Sequence, residues 1–169
     1  MPFESWKRPK IHIPKTTSEK VWDMIGFITF FGSIILVIFV WGKLPDEIPA
    51  HFNFKGEVDR WGSKWEIIIL PIIGFLTVLF MQFFEKHPEW HNYPKRFNES
   101  NARDFYLVSR RLLNQLKNVC LIIFCLIMME MLSLVLGWGI HFGIWLLPII
   151  IVATTVPIII GIIKMRKIQ

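Results

Sequence analysis

Between Leu44 and Trp65, in LPDEIPAHFNFKGEVDRWGSKW, an imidazole, an amide and charges of both signs stand close together. His51, Glu57 and Asp59 are donor types that a divalent cation accepts, and His141 is an outlying fourth. Their spacing is irregular and no closely spaced histidine pair supports them, so they make a weak metal set. As a binding surface, His51, Asn53, Glu57, Asp59 and Lys64 offer hydrogen bonds and charge to a ligand or peptide. Pro45 and Pro49 restrict the backbone, while FKGE and RWGSK supply two turns. The loop is therefore expected to be ordered and to present its side chains.

Glu130 is a further candidate, because it is the acid inside an otherwise uncharged apolar run from Val119 to Gly137. Placing a carboxylate in a membrane span costs about 3 kcal/mol unless it is neutral, paired or wet. Ser133 and Gly137 follow it at helical spacing, so its face turns toward other helices, for ligand or proton handling or for packing. Other chemistry is not encoded in a motif: there is no zinc-protease helix signature, no glycine-flanked serine elbow and no phosphate-cradling loop. His87 and His91 are separated by Pro88, which argues against one helix face presenting both. The expectation is a non-enzymatic protein with no cofactor.

These residues need elements to hold them, and the elements are apolar. The 169 residues are 53% hydrophobic, with a mean hydropathy of +0.47, beyond ordinary globular values. The expected fold is an all-α integral membrane protein with four transmembrane helices as two hairpins. The spans are 21–42, 65–84, 118–137 and 144–163, each near the roughly 20 residues that a bilayer requires. They leave an N-terminal segment 1–20, an outer loop 43–64, a connection 85–117 with a helical extension, an outer turn 138–143 and a tail 164–169. Trp22, Trp41, Trp65, Trp138 and Trp145 mark the expected ends. The opening MPFESWKRPKIHIPKTTSEK is too polar for a signal peptide, so the first span is read as a retained anchor.

Net charge is +6, but the basic residues flank apolar runs, which suits lipid headgroups and argues against nucleic acid as a partner. Lys7, Arg8, Lys10, Lys15 and Lys20 precede the first span, the second connection carries seven Lys and Arg, and Lys164, Arg166 and Lys167 follow the last. The outer loop has four basic residues balanced by Asp46, Glu47, Glu57 and Asp59. This bias places both termini in the cytoplasm of a plasma-membrane protein and the loop outside.

Local signals refine the picture. Thr16 with Glu19 reads as a capping box that starts the first helix early, carrying Lys20 and Asp23. Asn98 is expected to cap a helix with Phe105, Leu112 and Leu116 along one side. That extension either lies against anionic lipid or docks a cytoplasmic partner through Tyr106, Arg110 and Arg111. Gly26, Thr29 and Ser33, and Gly74 with Thr77, form small-residue stripes for helix packing. Pro71, Pro148 and Pro157 are candidate bends, with Thr154 and Thr155 as donors to freed carbonyls. Cys120 and Cys125 fall on different helix faces and cannot pair.

The loop LPDEIPAHFNFKGEVDRWGSK resembles the motif of a bacterial membrane domain family of unknown function, found in the N-terminal part of SdpI-type immunity proteins. The likeness is carried by Leu44, Pro45, Ile48, Pro49, His51, Phe52, Gly56, Asp59, Gly62, Ser63 and Lys64. NYPKRFNESNARDFYLVSRRLLNQLK is similar to a second stretch of free-standing members, through Tyr93, Pro94, Asn101, Ala102, Tyr106, Arg110, Arg111, Leu112 and Lys117. The resemblance implies a Gram-positive-type plasma-membrane protein that protects against, or senses, a secreted antimicrobial peptide. In SdpI-type proteins immunity is joined to capture of a transcriptional repressor. SdpI-type chains continue beyond the four spans expected here, so this chain reads as a short member. The leading expectation is binding at the outer loop for immunity or signalling. The alternatives are an accessory subunit of a transporter or enzyme complex, or a metal-assisted membrane enzyme using His51, Glu57, Asp59 and Glu130.

Overall fold

The computed structural model describes residues 8–169, so Lys7 and the first part of the N-terminal segment lie outside it. Helix α1 spans Thr17–Val40 and runs into a 3-10 turn at Trp41–Lys43. Strands β1 (Glu47–Phe52) and β2 (Val58–Ser63) follow, then a 3-10 turn at Lys64–Ile68 that leads into α2 (Ile69–Lys86). Helix α3 spans Ala102–Leu136 and α4 spans Leu146–Arg166. Each of the four helices is long and apolar enough to cross a membrane, the architecture of a multi-pass membrane protein.

The capping box forms: Thr16 Oγ1 accepts from the Glu19 amide at 3.4 Å, and Glu19 Oε2 accepts from the Thr16 amide at 2.7 Å. At 35 residues α3 is about 50 Å long, so it carries the extension that the sequence suggested. Its start differs from expectation, because Asn98 does not cap it. The Asn98 side chain accepts from the amides of Ser100 and Asn101, Asn101 Oδ1 accepts from the Asn98 amide, and the helix begins at Ala102.

The all-α expectation needs one correction. The segment between α1 and α2 is an antiparallel β-hairpin, with Glu47 opposite Ser63, Ile48 opposite Gly62 and Pro49 opposite Trp61, and irregular register around His51. Pro49 obscured the strand in the sequence, yet in a two-stranded ribbon each strand keeps a free edge where a missing N–H costs nothing. Asn53 makes the turn: its Oδ1 accepts from the amides of Lys55 (2.8 Å) and Glu57 (3.1 Å), and Gly56 follows with φ +79°.

Helix α3 is the spine against which α1, α2 and α4 pack. Under the hairpin, Ile48 and Ile67 join Val37, Val40, Leu44, Met128, Met131 and Leu132 in one buried apolar cluster. At the opposite end of α3, Ile13, Ala102 and Tyr106 form a second, flanked by Tyr93 and Phe97. Gly26, Ser33 and Gly74 are buried between helices, so these members of the small-residue stripes serve close approach. Thr154 donates to Ile150 O and Ile151 O one turn back, and not to the Ala153 carbonyl that Pro157 leaves without an N–H. Both cysteines are free and half-buried.

A Cβ on Gly26 would lie 2.2 Å from Asn118 Oδ1, whereas one on Gly32 meets nothing within 4 Å. Gly26→Leu is therefore expected to destabilise the α1–α3 contact by about 1–3 kcal/mol. Gly32→Leu should leave stability unchanged or slightly raised. Thermal unfolding of the two variants in detergent compares them directly.

Candidate functional site

The hairpin brings its polar residues into pairs. His51 Nδ1 lies 2.6 Å from Asp59 Oδ1, and both side chains are exposed. Asn53 Nδ2 donates to Glu57 Oε2 at 2.9 Å, so Glu57 belongs to the turn. Lys64 pairs with Asp46 at 3.0 Å at the hairpin base and sits over the Trp41 ring. Arg60 donates to Glu66 Oε2 at 2.8 Å. Among the described residues no three His, Cys, Asp or Glu side chains gather in a metal-binding group. The weak set of His51, Glu57 and Asp59 divides because two of them pair with each other while Asn53 engages the third. A cavity of about 390 Å³ lies between the hairpin and the start of α4, lined by Phe52, Asn53, Phe54, Ile127, Leu146 and Ile150 among others.

Glu130 stands apart from that polar surface. It is buried, and it accepts from the backbone amides of Phe142 (2.8 Å) and Gly143 (3.3 Å). Ser133 Oγ accepts from the Ile140 amide at 3.0 Å, and Gly137 ends α3 in the left-handed conformation. The stripe seen in the sequence thus folds the turn between α3 and α4. That turn supports the hairpin, because a Cβ on Gly56 would fall 2.1 Å from the Gly143 carbonyl carbon. Glu130, Gly143 and Gly56 form a mechanical chain from the interior of α3 to the hairpin tip.

A second polar constellation, unforeseen in the sequence, occupies the other end of the bundle. Lys117, fully buried, pairs with Asp23 at 2.9 Å and Glu85 at 2.7 Å. Lys15 reaches the same two carboxylates at 2.6 and 2.8 Å. Asn114 donates to Asp23 and Glu85, and Asn118 donates to Asp23. Burial opposes charge on Lys15, yet its hydrogen bonds to Asp23 and Glu85 prevail and hold the ammonium above its ordinary pKa. Among the described residues the side-chain oxygens of Asn114 and Asn118 have no hydrogen-bond donor, and that of Asn118 abuts Gly26.

Next to this cluster, Arg110 pairs with Glu19 at 2.7 Å and also donates to the carbonyls of Ile13 and Pro14. This corrects the expected docking face: Tyr106 and Arg110 are buried, and of the three residues only Arg111 is exposed. Arg110, Asn114 and Lys117 recur at spacings of four and three, the signal of one helical face. The sequence shows Phe105, Leu112 and Leu116 on another side, and counts Lys117 among the basic residues of the helical extension without marking it as interior.

In the connection after α2, His91 Nε2 donates to Phe84 O at 2.9 Å and Nδ1 faces Ser109 Oγ. Burial pulls this imidazole below its ordinary pKa of 6.5.

Residues 28–75 match the profile of the family described as Domain of unknown function (DUF1648). The match runs from α1 through the hairpin into α2 and contains the stretch Leu44–Lys64 from which the resemblance was read. An uncharacterized protein of Archaeoglobus fulgidus is 34% identical over 89 residues, which cover 48% of this chain and 49% of that protein. The chain thus spans about half the length of the curated relative it matches. No solved structure matches. Fold and match together describe a multi-pass membrane protein with a segment similar to the DUF1648 family.

Lys117→Met is expected to cost about 3–5 kcal/mol, because it leaves buried carboxylates short of countercharge. Lys117→Met combined with Glu85→Met should recover a substantial part of that loss, as read by denaturation in detergent. The His91 environment sets a pH dependence. Its folded pKa is depressed, so the stabilisation is complete above about 6.5 and is lost as pH falls through that value toward the lower folded pKa. Amide protection around residues 87–101, taken relative to the intrinsic exchange rate at each pH, should fall over this window, and His91→Phe should flatten the response.

Proposed function

We propose that the chain is a plasma-membrane protein of SdpI-like type that acts by binding rather than by catalysis. Its four helices cross the bilayer as two hairpins, with both termini in the cytoplasm and the β-hairpin outside. The excess of Lys and Arg in the segments away from the hairpin supports this orientation. The ligand is a membrane-active peptide, and the outcome is immunity or sensing.

The observation that carries the reading is a hairpin locked from below and exposed above. The Asn53 turn and the Gly56–Gly143 contact fix it, while Phe54 and Trp61, 73% and 55% exposed, stand near the open His51–Asp59 pair. An amphipathic peptide needs both kinds of surface, apolar rings for one face and charged hydrogen-bonding groups for the other. Binding there can reach α3 through the turn that Glu130 holds, and α3 runs on to the buried charges at the opposite end. A ligand that prefers one arrangement of this turn shifts the population of the whole bundle.

The test is a strain lacking the gene, complemented with wild type, His51→Ala or Asp59→Ala, and challenged with a panel of secreted antimicrobial peptides. Both variants are expected to lose protection or signalling while their abundance in the membrane stays normal. Full activity in both would remove the hairpin from the mechanism.

A further inference from the structure

A small cleft between α3 and α4, away from the hairpin, has the composition of a headgroup site. Its cavity of about 50 Å³ is bordered by Arg111, Gln115 and Lys164 on the polar side and by Val108, Pro157 and Ile160 on the apolar side. The helices come close there because Gly161 lacks a side chain: a Cβ would lie 2.7 Å from Leu112 Cδ2. That contact forms the floor, and Arg111 and Lys164 rise from the two helices beside it.

What sets the cleft apart is that two unpaired cations from different helices border one space. Lys15, Lys117 and Arg110 all have carboxylate partners, but among the described residues the side chains of Arg111, Lys164 and Gln115 form no ion pair or hydrogen bond. The carbonyls at the end of α4 would ordinarily repel an anion. Two are already engaged: Arg96 and the Ile168 amide donate to Met165 O, and the Lys167 amide donates to Lys164 O. Lys164 also lies in the last turn of a membrane-spanning helix, beside exposed Ile160, so the cleft is at the level where headgroups meet acyl chains.

We propose that this cleft binds an anionic phospholipid, its phosphate held between Arg111 and Lys164 with Gln115 as an amide donor and its chains lying along Ile160. Two unpaired cations at a span boundary attract an anionic headgroup, while the apolar wall favours a lipid over a free phosphate. The bound lipid adds a fastening between α4 and α3 beside the contacts that Arg96 and Asn101 make with the end of the chain after Lys164. This assignment is independent of what the hairpin binds.

Native mass spectrometry of purified protein tests it, after incubation with phosphatidylglycerol or with phosphatidylcholine of the same chains. Retention of phosphatidylglycerol should exceed that of phosphatidylcholine by roughly tenfold or more, from two basic contacts near the surface. In Arg111→Gln/Lys164→Gln the preference should vanish, while Arg111→Lys/Lys164→Arg should keep it. Lys20→Gln/Lys86→Gln makes the same change in net charge at other exposed positions and should retain the lipid as wild type does. Equal retention of the two lipids would overturn the assignment, as would equal loss in both Gln double variants. Displacement by soluble glycerol phosphate would make the cleft a free-anion site and overturn it too.

Discussion

An ammonium withdrawn from water is tolerable only beside opposite charge, and Lys117 imposes that demand on the middle of α3. Asp23 from α1 and Glu85 from α2 answer it, and Lys15 balances the pair from the segment before α1. Three parts of the chain must therefore arrive at one point on α3. The approach of α1 is close enough that only glycine fits opposite Asn118. The Arg110–Glu19 pair repeats the arrangement two turns away and gathers in the carbonyls of Ile13 and Pro14. Apolar packing in lipid gives little preference for one helix pairing over another; these charges supply the preference.

The two ends of the bundle use polar groups differently. Away from the hairpin, charges neutralise one another in the interior. At the hairpin end, Glu130 and Ser133 serve backbone amides and so shape a turn, while the groups facing outward remain accessible. Interior order and surface availability are thereby separated along the length of α3.

Much of this was readable beforehand, because the strongest signals were local. Apolar run length marked the four helices, and Thr16 with Glu19 marked the start of α1. The glycine-rich turn after α3 was visible for the same reason, since glycine acts on its own neighbours. What escaped was long-range. Nothing near Lys117 in sequence says that Asp23 and Glu85 will meet it, and Tyr106 and Arg110 look like surface residues until Ile13 and Glu19 cover them. The strands of the hairpin were hidden by Pro49, whose usual meaning in a sheet does not hold for a ribbon with two edges.

The cluster beneath the hairpin has a bearing on what the family boundary means. Ile48 and Ile67 lie inside the matched segment, but Met128, Met131 and Leu132, against which they are buried, lie outside it, as do Gly143 and the Glu130 carboxylate that sets its position. The unit recognised by sequence likeness is thus narrower than the unit that folds. A protein that carries the same segment must furnish a surrogate for α3 from elsewhere in its own chain, or from a neighbouring molecule.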